Sequence, residues 1–137
     1  MKTFLDSSSF AKRFVEEDGS ARVEELCRNA TELGLSMICL PEIISAINRR
    51  VREGLLTRKQ YLDIKKHFLD DIRDADMAQL TEQVTGSAIK VLERNPVRAM
   101  DALHVACAIE WGAELFVSCD IRQLAAAKHE GLKTLLV

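Results

Sequence analysis

The chain has 137 residues, 47% hydrophobic and 29% charged, with two prolines and six glycines, which is the size of one domain with a real core and excludes disorder, low complexity and collagen-like structure. A net charge of −2 excludes nucleic-acid binding through bulk positive charge, so any such contact has to be local. Asp6 interrupts the first apolar stretch and no apolar run nears the roughly 18 residues of a membrane span, so a cytoplasmic protein without membrane contact is expected.

Short apolar runs of strand length alternate with longer segments of 3.6-residue period, the signature of an α/β protein whose parallel sheet is covered by helices. Residues 2–5 are a first strand stopping at Asp6, followed by a helix over 8–17 and a turn at Asp18-Gly19. A second helix runs from Ser20, a good N-cap, to Gly34 as its stop. Residues 35–39 form the second strand, and Pro41 opens a helix that reaches residue 53 and carries Glu42 in its first turn.

Thr57 and Gln60 make a capping box for a long amphipathic helix with Tyr61, Ile64, Phe68 and Ile72 as its core stripe, so residues 41–74 form a helical hairpin. A short third strand is expected at 76–80, then a helix over 81–94 that Asn95-Pro96 ends. Residues 100–111 are helical and apolar almost all round, hence buried; 114–118 is a strand, 121–130 a helix and 132–137 a final strand. No repeat or linker interrupts residues 1–137, which are read as a single domain.

Cys27, Cys39, Cys107 and Cys119 sit singly in apolar stretches without a paired spacing, as reduced, buried hydrophobes do. Most of the 21 acidic residues lie on polar helix faces, but four do not. Asp6 and Asp120 follow strands at their carboxyl ends, where open parallel sheets place ligands near the reversal of strand order. Glu42 lies just past the end of the second strand, and Asp101 stands in the first turn of the apolar helix, where a dipole or capping role is the bland alternative.

Two carboxylates about 6 Å apart at an effective dielectric of about 20 repel by roughly 3 kcal/mol, so the group calls for protons or a cation. All-oxygen donors suit magnesium, with manganese as the other hard ion of that size. Ser7, Ser8 and Ser118 stand beside Asp6 and Asp120 and are candidates to orient carboxylates or phosphate, against ordinary capping as the simpler role. His104, three residues after Asp101, shares its helix face but is read first as a structural histidine. Arg49 and Arg50, with Arg52, Arg58 and Lys59, form the densest basic cluster and are the candidates for contact with a nucleic-acid phosphate, against a solvated helix end.

The segment LDSSSFAKRFVEEDGS resembles the opening of PIN domains, PEIISAINRR their second acidic element, and DALHVACAIEWGAELFVSCDIRQLAAAKHEGLKTLLV their carboxyl-terminal third; within the family the likeness is to VapC-type toxins. The resemblance implies a three-layer α/β/α sandwich with a five-stranded parallel sheet and magnesium-dependent cleavage of RNA. It also implies a homodimer and a small antitoxin protein as partner. Carried onto this chain, Asp6 and Asp101 chiefly hold the metal, Glu42 and Asp120 complete the quartet, and one of the latter two handles the attacking water.

Competing readings are another metal-dependent phosphohydrolase or a DNA nuclease on a similar sheet, and a binding module such as a response-regulator receiver or an inactive PIN-like scaffold. Ser7-Ser8 after Asp6, in place of an aspartate two residues on, argues against a haloacid-dehalogenase phosphatase. The receiver's acidic pair and late lysine are likewise missing from where they belong.

Overall fold

In the computed structural model, which describes residues 1–137, the short apolar runs become strands buried on both faces and the periodic segments become helices that cover them. In chain order these are β1 (Lys2–Leu5), α1 (Ser7–Ala11), α2 (Ser20–Asn29), β2 (Glu32–Ser36), α3 (Cys39–Arg52), α4 (Arg58–Asp71), a 3₁₀ turn (Ile72–Asp74), β3 (Asp76–Ala78), α5 (Glu82–Arg94), α6 (Ala99–Trp111), β4 (Leu115–Ser118), α7 (Ile121–His129) and β5 (Thr134–Leu136). All neighbours pair in parallel, in the order β3-β2-β1-β4-β5. The chain therefore builds outward from β1 to one edge, then returns to the other side of β1.

Side-chain alternation along the strands divides the core in two. Phe4 and Phe116 point to a face covered by α5, α6 and the inner side of α7, through Val84, Val91, Val105 and Ala127. Leu5, Leu35 and Val117 point to the opposite face, against Phe10, Val23, Ile43, Ile47, Tyr61 and Phe68 of α1 to α4. The result is the expected α/β/α sandwich. Each fully buried Phe or Leu side chain contributes about 1.5–3 kcal/mol. α6 buries six residues on several sides, as its apolar composition requires.

Several boundaries differ from the sequence reading. α1 is one short turn of helix, Ser7–Ala11, and stops well before residue 17. Beyond it the backbone bonds tighten to a three-residue reach, Arg13 N–H to Phe10 O at 3.1 Å and Phe14 N–H to Ala11 O at 3.0 Å. There Lys12 Nζ bonds the Asp18 carbonyl and Arg13 bridges to Asp71 at 2.8 Å. Gly19, with φ +92°, occupies the N-cap of α2, while Ser20 Oγ accepts the Glu17 N–H at 3.0 Å instead of capping its own helix.

Gly34 does not stop a helix. It lies inside β2, opposite Phe4, and an added Cβ would meet Phe4 at 2.8 Å and Trp111 at 2.9 Å. The strand is thus three residues earlier than its apolar composition suggested, because glycine is what lets two aromatic rings close over it. Gly34→Ala is expected to lower stability by about 1–3 kcal/mol through overpacking. The check is a lowered urea midpoint at unchanged denaturant slope.

Candidate active site

β1 and β4 are neighbours whose following helices leave to opposite faces of the sheet, which opens a crevice at their carboxyl ends. Asp6 ends β1, its N–H bonded to Val117 O at 3.2 Å. Asp120 lies two residues past β4 and caps α7 through Oδ1, which accepts the Arg122 N–H at 2.8 Å and the Gln123 N–H at 3.3 Å. Glu42 comes from the first turn of α3 and Asp101 from the first turn of α6. Glu42, Arg98, Met100, Asp101 and Asp120 line one shallow opening, and Asp6 lies near enough to Asp101 to raise its affinity for a proton.

The four acids are anchored very unequally. Asp6 is buried; Ser9 N–H and Ser9 Oγ approach its Oδ1 at 3.0 and 2.6 Å, and Ser8 Oγ and Ser118 Oγ approach Oδ2 at 2.9 and 3.1 Å. Four polar groups thus crowd its two oxygens. Glu42 Oε1 accepts Ser7 Oγ–H at 2.7 Å and lies 2.6 Å from His104 Nε2. Burial acts to raise the Glu42 pKa, but the hydrogen bonds from His104 and Ser7 and the charge of His104 outweigh it, leaving the group below its ordinary 4.5. An ionised Glu42 only accepts, so Nε2 carries the hydrogen and donates it. His104 Nδ1 is then left buried without a partner.

Asp101 makes no side-chain hydrogen bond. Burial raises its pKa first, the negative charge of Asp120 second, and Asp6 adds to both, while Arg98 and His104 oppose them. None of the four carboxylates pairs with a lysine or arginine. The result is a pocket of net negative charge, only partly offset by Arg98 and His104 and made of oxygen donors, which in charge and chemistry fits a hard divalent cation. No three of its acidic side chains converge into a closed cage. Magnesium does not require one, since it is commonly held by one or two carboxylates, waters and substrate phosphate.

Two residues matter here that the sequence reading under-ranked or missed. His104, assigned a structural role, contacts Glu42 directly, and its spacing from Asp101 was the available signal. Gln123 was not singled out, yet it is fully buried and joins Ser118 Oγ to the Asp101 carbonyl. The signal was a glutamine three and four residues before the core positions Ala126 and Ala127. Among the serines, Ser7 makes the shortest bond to a site carboxylate other than that of Ser9.

Arg49 and Arg50 line a larger groove that runs from Glu42 along α3, with Ser45, Arg52 and Met100. Both are engaged, Arg49 with Glu53 at 2.9 Å and Arg50 with Glu17 at 3.6 Å. Exposed pairs of this kind are worth about 0–1 kcal/mol, little enough for a phosphate to replace the partner. All four cysteines are free, and burial pushes the thiols of Cys27 and Cys39 up to about 11 and about 12, so they stay protonated. No helix is long and apolar enough to cross a membrane.

A five-stranded parallel sandwich with carboxylates gathered at the carboxyl ends of the strands flanking its reversal point is an arrangement shared by several nuclease and phosphohydrolase classes, and the chain belongs to one of them: the model of the PIN domain matches residues 3–130. The chain is similar to Ribonuclease VapC45 of Mycobacterium tuberculosis, with 26% identity over 127 residues covering 92% of this chain and 88% of that one. Among solved structures, VapBC2 from Rickettsia felis, bound to a DNA fragment from its promoter, superposes with a TM-score of 0.71 at 14% identity over 100% of this chain and 99% of that one. VapC20 of M. tuberculosis, a sarcin–ricin loop cleaving toxin, gives 0.70 at 18% identity over 91% and 95%. Identities that low speak for the fold alone.

Proposed function

We propose that this chain is a magnesium-dependent endoribonuclease that hydrolyses RNA phosphodiester bonds as the toxin of a type II toxin–antitoxin pair. On this reading manganese can replace magnesium, and the protein acts in the cytoplasm as a homodimer restrained by a small antitoxin. The observation that carries the proposal is Asp101, a carboxylate held without any hydrogen-bond or cationic partner while facing Asp120 and Asp6. Kinship with ribonucleases of toxin type supports it.

Asp6 and Asp101 are the assigned metal holders, with Glu42 and Asp120 completing the set. A divalent ion, when bound, supplies positive charge to the scissile phosphate and acidifies water. The protein's own contribution is positional. Ser8 is exposed, so rotation of its hydroxyl frees Asp6 Oδ2 at little cost. Glu42 and Asp120 each have one oxygen tied down by hydrogen bonds and one open, the arrangement that orients a water and takes its proton. Arg49 and Arg50 then guide the RNA backbone along α3 toward the acids.

A second reading, a catalytically silent PIN-like scaffold, draws on the crowding of Asp6 by hydroxyl and amide groups. Cleavage of structured RNAs and single-stranded DNA by the purified protein separates the two. RNA is expected to be cut with magnesium and left intact with EDTA, and Asp6→Asn to cut about 100- to 1,000-fold more slowly. Equal results in all three arms sink the nuclease reading, and cleavage of DNA alone redirects it to a DNA nuclease. Absence of a small basic or DNA-binding protein encoded beside this gene removes the toxin half and leaves the nuclease half standing.

A further inference from the structure

Gln123 is the one large polar side chain that is completely buried, and both ends of its amide are used. Nε2 donates to the backbone carbonyl of Asp101 at 3.2 Å, and Oε1 lies 2.7 Å from Ser118 Oγ. The first contact fixes the orientation of the amide, because a carbonyl accepts only from the nitrogen end. Oε1 is therefore turned toward Ser118.

Ser118 is itself buried, and its hydroxyl has three polar neighbours. It accepts the Asp120 N–H at 2.9 Å, and it stands between two acceptors, Gln123 Oε1 at 2.7 Å and Asp6 Oδ2 at 3.1 Å. A hydroxyl has one proton. Gln123 Oε1 is the nearer acceptor and has no other donor, whereas Asp6 Oδ2 also accepts from Ser8 Oγ at 2.9 Å, so the proton goes to Gln123 and Asp6 Oδ2 keeps the lone pair that faces Ser118. Gln123 thus reaches three of the four acids. It ties the first turn of α6, where Asp101 sits, to the end of β4, sets the backbone turn that carries Asp120, and releases an oxygen of Asp6.

We propose that Gln123 is a positioning residue of the acidic site, acting through Ser118 and the Asp101 carbonyl to hold Asp6, Asp101 and Asp120 in register for a divalent cation. The inference rests on the metal-dependent reading given above and adds to it a residue that touches neither ion nor substrate. Partners of this indirect kind typically change metal affinity or activity by about 10- to 100-fold when removed.

The test is manganese binding, measured by calorimetry and by the paramagnetic resonance of free Mn²⁺, on wild type, Gln123→Met, Ser118→Ala and the double variant, with thermal unfolding recorded for each. Methionine preserves length and volume but lacks both hydrogen bonds. The expected result is that each single variant stays folded and binds Mn²⁺ about 10- to 100-fold more weakly. The double variant loses less than the sum of the two single losses, because part of each effect runs through the bond that joins the two side chains. RNA cleavage should then lose kcat with KM unchanged.

A folded Gln123→Met protein that binds Mn²⁺ as wild type does overturns the inference and leaves the nuclease reading intact, as do additive losses in the double variant. Wild-type protein that binds no Mn²⁺ overturns both. If Gln123→Met does not fold, Gln123→Asn keeps the amide and withdraws it by one methylene. Undiminished Mn²⁺ affinity in that variant overturns the inference, and a loss supports it.

Discussion

Asp101→Asn is expected to slow RNA cleavage by about 1,000-fold, roughly 4 kcal/mol of transition-state stabilisation, while leaving the protein folded and slightly more stable. The two effects have one cause. The Asp101 carboxylate forms no hydrogen bond, so the amide that replaces it breaks none, whereas its charge is what an ion in this pocket needs. Its pKa is raised above the ordinary 3.8 by burial, then by Asp120 and Asp6. The folded state therefore holds a proton more tightly than the unfolded chain does. Stability falls as pH rises from the unfolded value through the raised folded one, and the penalty is fully present at neutral pH.

Asparagine removes that penalty. Asp101 is only partly buried, so solvent screening limits the gain to about 0.5 kcal/mol, which raises Tm by about 1–2 °C for a chain of this size. The gain should vanish in acid, below both pKa values, where aspartic acid and asparagine are alike in charge. Calorimetry at neutral and acid pH and single-turnover cleavage measure the pair of effects. A variant that cleaves at the wild-type rate takes Asp101 out of the site.

Phe68→Ala is expected to cost about 3–5 kcal/mol, a large share of the roughly 5–15 kcal/mol that holds a domain together. Phe68 has no exposed surface and meets the rings of Phe10 and Phe14 at 6.3 and 5.4 Å between centroids. With Tyr61 it makes up the buried face of α4. Loss of the ring leaves a cavity between α4 and the short α1 that follows Asp6. The midpoint of thermal unfolding should fall by about 10 °C. Leu62→Ala, exposed on the same helix, serves as the control and should change stability by no more than about 0.5 kcal/mol.

The acidic quartet was legible in the sequence because each member stands where composition changes abruptly: Asp6 after KTFL, Asp120 after LFVS, Glu42 directly after Pro41, which the structure places third in α3 and not first as its composition suggested, and Asp101 before an apolar run. The Thr57 capping box was legible for the same local reason, and both its hydrogen bonds form, at 2.8 and 3.1 Å. What stayed hidden depends on distant partners. Gly34 reads as a stop signal until Phe4 and Trp111, far away in the chain, are seen to occupy the space where its side chain would be. α1 ends just before Arg13, which pairs with Asp71 and Glu24 on other elements, contacts that no local pattern carries. His104 and Gln123 belong to the same class, since a polar residue on an apolar helix face shows its purpose only when its acceptor on another element is known.

The strand order has a bearing on when the molecule can act. β1 is the first strand made, but the acids beside it come from both directions of growth, and its pairing with β4 joins Thr3 to Leu115 and Leu5 to Val117. A nascent chain emerging from the ribosome has β1, β2 and β3 in hand long before it has Ser118, Asp120 or Gln123. No amino-terminal fragment that stops short of β4 contains the crevice, so synthesis itself delays the acidic site until nearly all of the sheet exists. In that sense the topology works as a timer on assembly of the site.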